Sequence, residues 1–175
     1  MNKQIINITL TSQAKREVKI QKMPIKETSL AEITLRKYEK PSDLQEIQQR
    51  DLIKKVCLSL GLLQEADSRD VVADILQVLL ENSKQKKPLT SFEIKDLVEK
   101  NRKKHNLELT GIAESNIRRQ LKRLKDLFLV ESINNKYNIT EFMPLSHLFE
   151  KNIKNFYLQN IVERIEEYLK VLDEK

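Results

Sequence analysis

Residues 89–140 carry a run of patterns that restricts the fold more than any other part of this 175-residue chain. The segment LTSFEIKDLVEK has helical spacing, and so does the later, strongly basic segment GIAESNIRRQLKRLKDLFLVES. Two strand-like runs follow, residues 129–133 and 136–140, joined by Asn134 and Asn135, whose side chains tolerate turn conformations. This order predicts a helix, a connection, a basic helix and a two-stranded hairpin.

Local signals define both helices. Thr90 is followed three residues later by Glu93, which is the capping-box pattern of a helix N-terminus. The second helix starts at Ala113 or Ser115, after a short extended segment predicted at residues 107–111. The predicted buried faces are Ile94, Leu97 and Val98 in the first helix and Ile117, Leu121 and Leu124 in the second.

The net charge of +6 is concentrated in the same part of the chain. Residues 84–126 contain 13 Lys and Arg against six Asp and Glu, whereas the segments before and after this stretch are close to neutral. A focused basic patch favours a polyanion, because binding releases the counterions of the polyanion. A solvated, lysine-rich surface is the alternative interpretation of the same charges.

The segments LTSFEIKDLVEK and AESNIRRQLKRLKDLFLVE resemble winged helix-turn-helix transcriptional regulators of the prokaryotic type. The resemblance covers residues 89–140, or 68–140 if a preceding helix belongs to the module. It implies a mostly α fold with a small β component, in which the basic helix enters the major groove of DNA. Phe128 departs from the pattern, since this family usually has Gly where the basic helix turns into the hairpin.

The resemblance also implies a set of DNA contacts. Arginine reads guanine with two hydrogen bonds and asparagine reads adenine, while a serine at a helix start can bind phosphate. In a structural interpretation, Asn116 only belongs to the helix cap and Arg123 pairs with Asp126. The implied DNA-binding residues are Ser115, Asn116, Arg118, Arg119, Lys122 and Arg123 on the helix and Lys136 in the hairpin, where a phosphate contact is expected.

The N-terminal third has weaker patterns. Residues 3–11 and 18–25 alternate like two strands, which we expect to pair with each other, and residues 26–41 are either a third strand around 33–35 or a linker. A helix is predicted from Ser42, capped with Gln45, and another over residues 69–83, capped by Ser68. The predicted buried stripes are Leu52, Ile53, Val56, Leu60 and Leu63 in the first, and Val72, Ile75, Leu76, Leu79 and Leu80 in the second.

After Pro144, a long helix is predicted from Ser146 nearly to Lys175. Its apolar residues follow an a/d heptad pattern, which is typical of a helix that pairs with another. The seam consists of Leu158, Ile161, Ile165, Tyr168 and Leu172. We expect a two-fold homodimer through this seam, and the alternative is packing of the helix on its own domain.

These patterns divide the chain into an N-terminal extension with short strands (1–41), a helical linker (42–67), a winged-helix domain (68–143) and a dimerisation helix (144–175). Cys57 is the single cysteine, so no internal disulfide, zinc site or other metal site is expected, and no cofactor or catalytic motif is found. No apolar run predicts a membrane span or signal peptide, so a cytoplasmic protein is expected.

The expected function is therefore sequence-specific binding of double-stranded DNA by a dimeric transcriptional regulator that is not an enzyme. The alternative is a non-catalytic scaffold subunit that uses its winged helix for protein–protein interaction, with residues 1–41 as a further surface for a protein partner.

Overall fold

Amphipathic helices and one small antiparallel sheet, as the sequence predicts, make up most of the chain. In a computed structural model, which describes residues 33–40, 44–65, 67 and 70–175, the fold is mostly α with a small β component. The strands predicted at 3–11 and 18–25 lie outside the described residues, and so do the predicted caps Ser42 and Ser68. The helices are α1 (Gln49–Ser59), α2 (Val71–Ser83), α3 (Ser91–Lys104) and α4 (Glu114–Asp126), followed by a helical C-terminal segment.

The sheet contains β1 (Leu89–Thr90), β2 (Val130–Ile133) and β3 (Lys136–Ile139) in the order β1-β3-β2. The predicted hairpin is confirmed: β2 and β3 pair antiparallel around Asn134 and Asn135, which both have positive φ. Two consecutive positive φ values are typical of a type I′ turn, whose twist matches that of the flanking strands. Residues 107–109, predicted as part of a short extended segment, have no regular secondary structure, and residues 110–111 form a turn; the third strand of the sheet is β1, before α3.

Helix α2 forms the centre of the core. Its buried side chains come from almost every side of the helix, because it packs against α1, α3, α4 and β3. The capping box of α3 is confirmed, since Thr90 and Glu93 each accept a hydrogen bond from the backbone amide of the other. The predicted stripe of α4 is confirmed as well, with Ile117, Leu121 and Leu124 fully buried.

The prediction for α1 is partly wrong. The helix begins at Gln49, and residues 44–47 before it are bends instead of a first helical turn. Leu52 and Val56 are 40% and 37% exposed, whereas Ile53 and Cys57 face the core. The buried face of α1 therefore contains Ile53 and Cys57, one residue further along the chain than the predicted Leu52 and Val56. Residues 33–40 have no regular structure, which excludes the strand predicted around residues 33–35.

Helices α1 to α4 end in the same way. Two or three residues beyond the end of each helix, one residue has positive φ. The amide of the following residue donates to a carbonyl five residues earlier, as in the Schellman motif. The residues with positive φ are Gly61, Lys86, Asn106 and Phe128. Phe128 has a φ of 57°, a conformation that glycine adopts without steric cost.

An ion-pair network lies where α1, α2 and α3 meet. Asp74 of α2 accepts from Nε of Arg50 and from Nε of Arg102, each at 2.7 Å, and Asp70 pairs with both arginines. Arg102 is 2% exposed, although the charge pattern of residues 84–126 predicts a surface patch that includes it. That interpretation is wrong for Arg102, because its charge is neutralised inside the protein. Lys54 also contacts Asp70 at 3.2 Å.

The predicted C-terminal helix is confirmed over residues 145–173. It consists of α5 (Leu145–Leu148), a segment with π-helical hydrogen bonding (Phe149–Leu158) and α6 (Gln159–Asp173). Leu148, Ile153 and Tyr157 are buried against the rest of the chain, and Leu158 packs partly against the core. Every residue of α6 is exposed, so Ile161, Ile165, Tyr168 and Leu172 of the seam do not pack on the described part of their own domain.

Asp70 makes acid stability a test of the network. Its burial raises the pKa, but hydrogen bonds and charges from Arg50, Lys54 and Arg102 outweigh this and lower the pKa below the ordinary value of 3.8. The stabilisation is therefore present above about pH 4 and is lost as the pH falls through the lowered pKa. We expect Asp70→Asn to be less stable than wild type at pH 7, with a difference that shrinks below pH 4.

Urea unfolding followed by circular dichroism between pH 7 and pH 2.5 checks this prediction. The control is Asp51→Asn, which removes an exposed carboxylate from the first turn of α1. A constant difference between wild type and Asp70→Asn across this range would contradict the assigned role.

Candidate nucleic-acid interface

Helix α4 has one buried and one solvent-facing side. The buried side is apolar, and the exposed side carries Arg118, Arg119, Lys122 and Lys125 within two turns of the helix. Three of these were predicted as DNA contacts from the sequence. Lys125 was missed, although its spacing of seven residues from Arg118 places it on the same face. The structure thus brings four cations onto one surface of one helix.

The four exposed cations of α4 differ in whether another side chain of the protein holds them. Arg118 pairs with Glu114 one turn earlier, and its side chain is 61% exposed. An exposed pair of this kind stabilises little, so exchange of the carboxylate for another anion is inexpensive. Arg119 donates to the side-chain oxygen of Asn116 at 2.7 Å. Lys122 and Lys125 have no ion-pair partner among the described residues.

Two of the predicted DNA-binding residues are held by the protein itself. Asn116 donates to the carbonyl of Gly111 at 2.6 Å and accepts from Arg119 and Gln120, so it joins the start of α4 to the preceding connection. Arg123 is half-buried and donates to Gln120 and to the carbonyl of Gly61, at the end of α1. The Arg123–Asp126 pair considered from the sequence is not formed.

The start of α4 lies next to a short connection from α3. Its N-cap is Ala113, whose side chain has no hydrogen-bonding group, and the exposed hydroxyl of Ser115 lies in the first turn. The first amides of a helix have no partner within the helix, and together with the helix dipole they favour an anion. Ser115 is therefore well situated for a phosphate, as the resemblance implies.

Arg102 determines where the connection runs. Besides its carboxylate partners, its Nη1 donates to the carbonyls of Glu108 at 2.6 Å and of Thr110 at 3.1 Å. A buried guanidinium needs several acceptors, and these two carbonyls satisfy part of that requirement. The sequence contains no local signal for this contact, because Asp70 and Asp74 are about 30 residues away in the chain. Arg102 thus positions α4 without being exposed.

Lys136 lies directly after the turn of the hairpin, where it pairs with Ile133 in β2 and with Thr90 in β1. Its side chain is exposed. Hydrogen bonds from Thr90 chiefly lower the pKa of Glu93, and the positive charges of Lys87 and Lys136 lower it further. Lys136 is therefore at the outer end of the sheet, close enough to Glu93 to influence its ionisation.

Comparison of the chain with family models, with curated proteins and with solved structures found no match in any of the three. Within the described ranges, no helix has both the length and the apolar character needed to span a membrane.

The role of Arg102 predicts the effect of its removal. We expect Arg102→Met to lower the free energy of unfolding by about 3–5 kcal/mol, because it leaves buried carboxylates and two carbonyls without their donor. Amide exchange should also become faster in residues 107–113. Urea unfolding and hydrogen exchange measure the two effects. Lys103→Met is the matched control, since Lys103 is the exposed neighbour, and equal exchange in both variants would contradict this role.

Proposed function

We propose that residues 70–140 form a winged helix-turn-helix module that binds double-stranded DNA through α4, and that the protein is a sequence-specific transcriptional regulator acting as a dimer. The observation that carries the proposal is the exposed side of α4, on which Arg118, Arg119, Lys122 and Lys125 lie beside one another. The element order α2-β1-α3-α4-β2-β3, with its hairpin directly after the basic helix, also supports it.

The proposed contacts are assigned from which side chains are exposed and which have partners inside the protein. Arg118 and Arg119 are exposed near the start of α4, where a helix in the major groove meets base edges. Lys122 and Lys125 are suited to phosphates, as is Ser115 through its hydroxyl. Asn116 and Arg123 have intramolecular partners in the free protein. We therefore assign them the role of positioning α4 and not that of contacting bases.

A second candidate is a scaffold that binds another protein, and one observation favours it. A groove of about 680 Å³ lies between α1 and the C-terminal helix. Its lining is mostly apolar and includes Leu44, Leu52, Val56, Leu145 and Phe149.

A titration with random duplex DNA over a range of salt separates the two candidates, because phosphate contacts release counterions. A steep salt slope supports DNA binding, and no binding at low salt favours the scaffold.

Removing the two arginines tests the base contacts. Arg118→Ala combined with Arg119→Ala should weaken binding to the best DNA site by about 1–3 kcal/mol for each lost base contact. The control is Lys151→Ala combined with Lys154→Ala, which removes the same charge from the C-terminal helix. Fluorescence anisotropy measures both variants, and wild-type affinity in the arginine variant would show that α4 does not read bases.

The hairpin is tested separately. Lys136→Ala should weaken binding to all duplexes about equally and reduce the salt slope by about one, because a single phosphate contact is lost. Affinities for the preferred and a scrambled duplex, each at four salt concentrations, provide the measurement. A loss restricted to the preferred sequence would mean that the hairpin reads bases.

A further inference from the structure

Helix α6 carries a large apolar surface with no partner in the described part of the chain. Seven of its apolar side chains are between 41% and 67% exposed, and no residue of the helix is buried. They are Ile161, Val162, Ile165, Tyr168, Leu169, Val171 and Leu172. Single exposed apolar residues are common, but a contiguous patch of this kind usually marks an interface.

The order of these residues shows what fits this surface. Counted outward from the midpoint between Glu166 and Glu167, apolar residues match apolar residues on the two sides: Ile165 with Tyr168, Val162 with Val171, and Ile161 with Leu172. The two pairs in between are Arg164 with Leu169, and Glu163 with Lys170 at the outward-facing f positions. A two-fold antiparallel pair places matched positions at the same height along the two helices, and the a and d residues among them against each other, because a two-fold interface uses the same patch on both subunits.

We propose that α6 pairs antiparallel with α6 of a second copy of this chain, with the two-fold axis next to Glu166 and Glu167. The core layers of the pair are Ile161 against the partner's Leu172 and Ile165 against the partner's Tyr168, and the two-fold axis repeats each layer. These side chains occupy the a and d positions of the heptad pattern, which face the partner in a coiled coil.

The flanking residues favour the antiparallel over the parallel orientation. Val162 and Leu169 both lie next to the seam at e positions, and Arg164 lies on the opposite flank at a g position. In a parallel pair, g faces e, so Arg164 would lie against the partner's Leu169. In an antiparallel pair, the two e flanks face each other, so Val162 and Leu169 cover the partner's Leu169 and Val162, while Arg164 lies beside the partner's Val171 on the g flank.

Together with the proposed DNA binding, on which this step rests, the pairing predicts how far apart the two DNA half-sites lie. From Leu145 to the axis, the helical segment runs about 21 residues, or about 30 Å at about 1.5 Å per residue. The two points at which the C-terminal helices leave the DNA-binding modules are then about 60 Å apart. One turn of DNA is about 34–36 Å, so we expect half-sites about two turns, or roughly 20 base pairs, apart.

Engineered cysteines test the orientation in the full-length protein without DNA. An equimolar mixture of Ile161→Cys and Leu172→Cys proteins should form the mixed disulfide under a glutathione buffer, and neither variant alone should form a disulfide-linked dimer. Two Ile161 positions are about 16 Å apart in the antiparallel pair, which is beyond disulfide reach. Native Cys57 does not interfere, because it is fully buried and burial raises the pKa of its thiol to about 12.

Disulfide dimers of each single variant would show parallel pairing and overturn the proposal. Sedimentation gives a second measurement. Wild type and Asn160→Asp, which adds a carboxylate on the outer side of α6, should be dimers at tens of micromolar, and Ile165→Asp should be a monomer. A wild-type monomer, or a dimer that persists in Ile165→Asp, would equally overturn it.

Binding to duplexes with half-sites 10, 15, 20 and 25 base pairs apart separates this inference from the proposed function. Tightest binding at 20 base pairs supports the antiparallel pair. Tightest binding at 10 base pairs leaves DNA binding intact and contradicts the geometry. If the mixed disulfide forms but no duplex binds at low salt, the pairing stands, and the DNA-binding proposal falls together with the spacing.

Discussion

The buried guanidinium of Arg102 is the interaction on which the arrangement of this protein depends. It links Asp70 and Asp74 at α2 to the carbonyls of Glu108 and Thr110 in the connection before α4. A buried ion pair adds little net stability, because desolvation of the charges offsets their attraction. Its contribution here is geometric. One guanidinium reaches two carboxylates and two carbonyls only if α3 and the connection after it adopt one of a few positions. The position of α4 follows from that requirement.

The arginines of residues 84–126 and the two lysines of α4 therefore fall into two groups with different roles. Arg102 and Arg123 bind carboxylates, an amide and backbone carbonyls inside the protein, and they orient helices. Arg118, Arg119, Lys122 and Lys125 remain at the surface of α4. Counting charges along the sequence overestimates the cations available to a polyanion, because it does not separate the two groups. Of these two groups, only the second contributes contacts to the proposed DNA binding.

The helix ends show a similar division between local and long-range causes. Positive φ two or three residues beyond the end of each of α1 to α4 is a local requirement, and glycine fulfils it at Gly61. A side chain there would also approach the carbonyl of Thr34, to within 2.5 Å of a Cβ. Phe128 accepts the same backbone conformation and packs edge to face on Phe156, with ring centroids 6.4 Å apart. We infer that this contact with the C-terminal helix offsets part of the backbone cost.

The sequence by itself determined the elements whose signals are local. The capping box at Thr90 and Glu93, the buried stripe of α4, the Asn134–Asn135 turn and the C-terminal helix all follow from residues within a few positions of one another. The exposed arginines and Lys122 were predicted for the same reason, since helical periodicity assigns the two sides of α4.

Only the tertiary structure decided the features that join distant residues. Arg102 looked like one more cation of the run KNRKKH until Asp70 and Asp74 were placed against it. Leu52 and Val56 fit a buried stripe by spacing, but α2 packs against the adjacent side of α1, with Ile53 and Cys57. The strand β1 is two residues long and is defined only by its pairing with β3. Periodicity tells which residues share a face, whereas the partner of that face depends on how the whole chain packs.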